Sequence, residues 1–71
     1  MVVTYNIKKI RNEKNMSLDT LSARSYISKA QISDIERNIK HPTVPTLIMI
    51  AIALNVDFRE LVNVRYSEQE K

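Results

Sequence analysis

The stretch Ile27-Ser28-Lys29-Ala30-Gln31-Ile32-Ser33-Asp34-Ile35-Glu36-Arg37-Asn38 decides how this 71-residue chain folds. Ser28 has the character of a helix N-cap, Gln31 stands three residues on to complete a capping box, and Ile27 and Ile32 flank the cap as a hydrophobic staple. At about 100° per residue, Ile32 and Ile35 form one side of the helix, while Ala30, Ser33, Asp34 and Arg37 fall opposite and Lys29 lies at the edge. One face packs and the other is presented. The presented face is short-chained and rich in donors and acceptors, with cations at its ends. That composition suits a helix entering a DNA major groove roughly 12 Å wide, where small residues admit the backbone and cations meet phosphates. The same pattern describes any amphipathic surface helix, so the neighbouring segments have to separate the two readings.

Upstream, Met16-Ser17-Leu18-Asp19-Thr20-Leu21 repeats the start signal, with Ser17 as cap and Met16 and Leu21 as staple. The helix it opens ends near Arg24, and a three-to-four-residue connection leads to Ser28, so the two helices must cross sharply, with the small Ser22 where they come closest. Residues 17 to 37 therefore read as a helix-turn-helix. Downstream, Thr43 caps a helix with Pro45 in its first turn, where the missing N–H has no intrahelical partner to lose; it runs to about Leu54 and stops at Asn55. Val56-Asp57-Phe58-Arg59-Glu60-Leu61 repeats the cap-and-staple scheme and predicts a fifth helix beginning near 57. The first helix spans roughly Tyr5 to Lys14, with Ile7 and Ile10 at i, i+3 spacing and Asn15 ending it. The expected fold is all-α, five short helices in one domain over residues 1–66, with Ser67 to Lys71 a polar tail. Val2-Val3-Thr4 and Val62-Asn63-Val64-Arg65-Tyr66 are rich in β-branched and aromatic residues, a composition suited to a two-stranded ribbon joining the two ends.

Composition narrows the function. There is no glycine, no cysteine, no tryptophan and one histidine. Without cysteine there is no disulfide framework, thiolate nucleophile or Cys-based zinc site, and one His makes no His-pair metal site. Without glycine the phosphate-cradling loops of nucleotide-binding folds are excluded. A chain this short buries only about 60% of its unfolded surface, which argues against a deep catalytic cleft. No catalytic residue, metal site, cofactor or small-molecule ligand is expected, and no enzyme activity. No 18-residue apolar run is present, and Lys8, Lys9 and Arg11 come after rather than before the short apolar start, so neither a membrane span nor a signal peptide is expected. The lack of cysteine fits a cytoplasmic location. The net charge is +3, and its distribution is uneven: residues 1–41 hold eight bases against four acids, residues 42–71 three against four. A basic first part suits a nucleic acid approaching one side.

Leu18-x-x-Leu21-Ser22, the Ile27 to Asn38 stretch, Pro42, Leu47, Ala51-Ile52-Ala53-Leu54-Asn55-Val56 and Leu61 together resemble the lambda-repressor-like (Cro/XRE-type) DNA-binding domains, over about residues 5 to 62. The resemblance implies a compact five-helix domain that binds a two-fold operator in double-stranded DNA as a homodimer, with the third helix in the major groove. It assigns base reading to Lys29, Ala30, Ser33 and Asp34, with Gln31 at the helix edge. It assigns DNA backbone contacts to the helix starts at Ser17 and Ser28 and to Arg37, Lys40 and His41. Arg11 and Glu36 match a pair that ties the first helix to the recognition helix; Glu36 lies only about 40° from Ile32, flanks the packed face and wants a charged partner.

Several positions depart from the family pattern. Leu18 stands where the family often has a phosphate-gripping Gln, Asp34 is acidic on the DNA face, and Ser25 and Tyr26 replace an apolar residue and the turn glycine. Asn38 replaces the glycine after the third helix, and Asn is the next best left-handed cap. At Tyr26 the turn either relaxes to a shape that is not left-handed or holds the ring by packing. Leu47 to Leu54 is eight consecutive apolar residues, so the fourth helix is either central to the bundle or joins a subunit interface through Ile48, Met49 or Ile52. Phe58, Leu61, Val62 and Tyr66 are the expected homodimer contacts, formed mainly by the fifth helix and the segment after it. The leading function is a sequence-specific transcriptional regulator acting as a repressor. The alternative is an interaction module of the same fold, an antitoxin or anti-repressor, that grips a protein partner.

Overall fold

The chain opens with a strand, β1 (Val2–Tyr5), and continues through α1 (Ile7–Glu13), α2 (Leu18–Ser25), α3 (Lys29–Glu36) and α4 (Val44–Leu54). A three-residue 3-10 turn at Phe58–Glu60 comes next, and then the closing strand β2 (Val62–Arg65). The computed structural model describes residues 1–66; the expected polar tail, residues 67–71, lies outside the described residues. β1 and β2 pair antiparallel, Val2 opposite Arg65 and Tyr5 opposite Val62, so the ribbon that the β-branched ends favour does form. No helix among the described residues is long and apolar enough to cross a membrane.

Among the described residues there are four helices, not the five expected. The start signal at Asp57 is real: Glu60 Oε2 accepts from Asp57 N at 3.0 Å and Asp57 Oδ1 accepts from Arg59 N at 2.9 Å. A cap starts a turn without setting its length. Here the turn ends after one round because Val62 and Val64 are committed to the ladder with β1, and Leu61 accepts a hydrogen bond from Asn6 N at 2.8 Å. The Arg59 side chain, and then its backbone N–H, hold the Asp57 carboxyl below its ordinary value of 3.8. This contribution to the turn is present at neutral pH and fades as pH falls through the lowered value.

Side-chain hydroxyls cap α2, α3 and α4 where the sequence places them. Ser17, Ser28 and Thr43 accept from the backbone N–H groups of Thr20, Gln31 and Thr46 at 3.0, 3.1 and 3.3 Å. The staple residues Leu21, Ile32 and Leu61 are buried and join Ile7, Ile35, Leu47, Ile50, Ala51 and Leu54 in one core. Met16, Ile27 and Val56 pack half-buried against it.

The absence of glycine has a direct structural answer. Asn15, Tyr26, Asn38 and Asn55 all take positive φ, at 54°, 63°, 61° and 59°, and each lies just beyond one of the four helices. Three of these stops use asparagine, whose short amide side chain tolerates the left-handed region. The fourth is Tyr26, and neither expected escape applies: its backbone is left-handed at φ 63°, ψ 19°, and the residue is 86% exposed. The strain is kept and the ring is not packed. Tyr26→Gly should therefore raise stability by roughly 0.5–1 kcal/mol, because it removes a penalty of about 1–2 kcal/mol while adding unfolded-chain freedom worth about 0.4–1 kcal/mol. A thermal melt checks this, and a lowered midpoint would mean that the ring contributes contacts that outweigh the strain.

The fourth helix divides its apolar surface in two. Leu47, Ile50, Ala51 and Leu54 enter the core, whereas Val44, Ile48, Met49 and Ile52 remain exposed, Ile52 to 73%. The helix is central on one side only.

Candidate nucleic-acid interface

Four serines build the site. Ser17 and Ser28 start α2 and α3, while Ser22 and Ser25 lock the turn between them. Ser22 Oγ donates to the Ile27 carbonyl at 2.7 Å. Ser25, 1% exposed, accepts from Ile27 N at 3.2 Å and donates to the Ser22 carbonyl at 3.5 Å. A buried hydroxyl without partners would destabilise the crossing; this one is satisfied on both sides and ties the connection to the end of α2. In the sequence Ser25 stands out only as a departure from an apolar pattern. The signal that could have found it is its position beside a turn only a few residues long, where free backbone groups need local partners.

The crossing presents α3 by its polar side. Ile32 and Ile35 are buried, Lys29, Ala30, Gln31 and Arg37 are exposed, and Ser33 and Asp34 are half-buried. Gln31 gives its backbone N–H to the Ser28 cap, and its side chain lies on the exposed face. Leu18, in the position of the family's phosphate-gripping Gln, packs against the core. Its place in α2 is apolar support.

Behind the presented face, Arg11 of α1 meets Glu36 of α3 in a two-point ion pair. Nε reaches Oε2 at 2.9 Å, one terminal nitrogen reaches Oε1 at 3.2 Å, and the other donates to the Met16 carbonyl at 3.1 Å. The side chains are only 12% and 7% exposed. One guanidinium thus fixes α1, the loop into α2 and the end of α3 in a single arrangement.

Carboxylates engage the cations around α3. Lys29 Nζ lies 2.7 Å from Asp19 Oδ1, at the start of α2. Asp34 sits between Arg37 at 3.6 Å and Lys40 at 3.7 Å. His41 Nδ1 and the Tyr5 hydroxyl share a hydrogen bond of 2.9 Å, with the rings edge to face at a centroid distance of 5.8 Å. The loop after α3 is therefore tied to β1, a link that sequence spacing, 36 residues apart, does not reveal.

The residues expected at a subunit interface separate into two groups. Phe58 and Tyr66 are exposed and Val62 is half-buried, but Leu61 has no exposed surface and belongs to the core. Its place in the staple opposite Val56 draws it inward, so Leu61 has nothing to offer a partner.

The helix-turn-helix family profile matches residues 7–61. The chain is 40% identical over 61 residues to the HTH-type transcriptional regulator SutR of Escherichia coli, covering 86% of this chain and 34% of that protein. It is 39% identical over 61 residues to the HTH-type transcriptional regulator y4dJ of Sinorhizobium fredii, covering 86% and 79%. The chain thus spans about a third of SutR and most of y4dJ. Among solved structures, the restriction-modification controller protein C.AhdI from Aeromonas hydrophila superposes with a TM-score of 0.75 over 78% of this chain and 83% of that one; at 24% identity the likeness is one of fold.

Proposed function

This chain belongs to the Cro/XRE-type family of helix-turn-helix transcriptional regulators, and on that premise we propose that it binds a specific double-stranded DNA site as a homodimer and represses by occupying it. The presented face of α3 carries this reading: it is short-chained and polar, ringed by cations, and held rigidly from behind by the Arg11–Glu36 pair. With α3 in the major groove, Lys29, Gln31, Ala30 and Ser33 meet base edges. Lys29 suits guanine O6 and N7, Gln31 suits adenine, and Ala30 suits a thymine methyl. The helix starts at Ser17 and Ser28, together with Arg37, Lys40 and His41, hold the phosphates. Asp34, which the resemblance also assigns to base reading, lies on the same face with its carboxylate already engaged. The reading implies action in the cytoplasm, where the DNA of such relatives is found.

A second copy of the chain is the partner best suited to the exposed α4 face. Val44, Ile48, Met49 and Ile52 form an uncharged stripe, which carries nothing to repel a copy of itself. Phe58, Val62 and Tyr66 add apolar surface from the turn, from β2 and from the residue that follows it. A two-fold dimer then sets its half-sites about 34 Å apart. The apolar face also supports the alternative of a module that grips a different protein, and the same experiment separates the two.

Duplexes selected from a random pool should converge on a two-fold symmetric site. Binding to it should weaken steeply with salt, the log–log slope being roughly −0.9 per phosphate contacted, and a scrambled duplex should bind far less tightly. A flat salt dependence, or equal affinity for both duplexes, would sink the proposal. A stable complex with another protein in the absence of DNA binding would favour the alternative.

A further inference from the structure

We propose that Asp19 and Asp34 act as phosphate surrogates: in the free chain their carboxylates hold the cations that bracket α3, and DNA binds by taking those cations over. This inference rests on the DNA-binding reading above and adds a restraint to it. All three cations that bracket the presented face are engaged. Lys29, the first residue of α3, is held from the neighbouring helix by Asp19, while Arg37 and Lys40, beyond its end, share Asp34.

Asp34 is built into this role by the backbone. Its carbonyl accepts from Ile39 N at 2.8 Å and from Lys40 N at 3.3 Å, so the loop after α3 folds back over it. That fold brings Lys40 to the carboxylate, one of whose oxygens faces Lys40 and the other Arg37. A carboxylate presenting both oxygens to cations offers them what a phosphate offers.

The pairs are weak enough to exchange. Lys29, Asp19, Arg37 and Lys40 are all more than half exposed, and ion pairs of that kind contribute little to stability. A duplex carries a dense row of phosphates and gains by releasing condensed counterions, so it competes successfully for Arg37 and Lys40, while Lys29, at the rim of the groove, passes to a phosphate on random DNA and to a guanine edge at the selected site. Contacts to phosphate supply nearly all the affinity for random DNA. The surrogates subtract from that sequence-independent part, so lasting residence needs base contacts in addition. In this arrangement an acid on the DNA face is a brake on sequence-independent binding and the cations are its target.

The test is a charge-removal cycle read on a scrambled 20-base-pair duplex. Asp34→Asn and Asp19→Asn should each tighten binding to it roughly 1.5- to fivefold, and each should steepen the log–log salt slope by up to about one. The gain from Asp34→Asn should vanish when Arg37→Gln and Lys40→Gln are already present, because the acid acts through those two cations. Unchanged affinity for the scrambled duplex would overturn the proposal. So would a gain that persists in the Arg37→Gln, Lys40→Gln background, which would be the long-range field of one acid. Loss of affinity for the selected site alone would make Asp34 a base reader instead. If Asp34→Asn does not fold, the Asp19→Asn and Lys29→Gln cycle decides by itself, since both side chains are exposed. Failure of the unmodified chain to bind any duplex would remove the DNA-binding reading as well, whereas selective binding without the expected gains removes only this inference.

Discussion

Truncating Glu36 to alanine should lower the unfolding free energy by roughly 3–5 kcal/mol, because it strands the Arg11 guanidinium in a site where it is only 12% exposed. Marginal stability of about 0.05–0.15 kcal/mol per residue gives a chain of this size little to spare, so the variant should be substantially unfolded at physiological temperature. The loss would come from leaving a charge without its partner. Replacing both residues together, Arg11→Met with Glu36→Leu, should recover much of the stability, since an apolar pair of similar volume needs no desolvation. Urea unfolding of the two single variants and the double variant measures the cycle. A Glu36→Ala loss below about 1 kcal/mol would place the pair in the range of a surface contact. The double variant carries a second lesson: it should fold and yet lose affinity for DNA, because the two-point pair also sets where α3 stands relative to α1.

Leu61 and Ile52 should separate core from interface. Leu61→Ala should lower stability by about 2–5 kcal/mol at any protein concentration, because the side chain is fully buried within one chain. Ile52→Glu should leave the fold nearly intact, since the position is 73% exposed, while sedimentation should show the proposed dimer lost. Affinity for a two-fold site should then fall by more than about tenfold, as two half-sites are no longer held together. If Leu61→Ala instead changes the association state and spares the melting point, Leu61 lies at the seam after all. If Ile52→Glu leaves the association state unchanged, the α4 face is not where copies meet.

The helix starts were legible because capping is local: a serine or threonine N-cap needs only the backbone three residues on, and Ser17, Ser28 and Thr43 all act where their spacing places them. Helix length was less legible. Asp57 begins a turn as its neighbours dictate, but that turn is cut short by pairing with a strand almost sixty residues earlier in the chain. Leu61 was misplaced for a related reason. Its staple with Val56 was legible, but a staple leaves open which way the pair faces, and only the return of the chain to β1 turns Leu61 into the core. At Tyr26 the sequence raised the right question, and both answers assumed that strain must be relieved or compensated by packing; the backbone accepts the left-handed shape with the ring in solvent. On the presented face, residue identities and helical spacing located the cations. Their engagement by Asp19 and Asp34 depends on the crossing of α2 and α3 and on the loop that folds back over Asp34.

The ribbon that joins the two ends also determines how the domain would respond to force. Val2 and Arg65 are cross-strand partners, so the incoming and outgoing chain leave the same end of the ribbon, separated by about one strand spacing, ~4.8 Å. Tension between the ends would act across the ladder, loading one rung at a time from Val2–Arg65 toward Tyr5–Val62, as a zipper opens. The ribbon is thus the soft mechanical element, and it would peel before the load reached α1, the Arg11–Glu36 pair or α3.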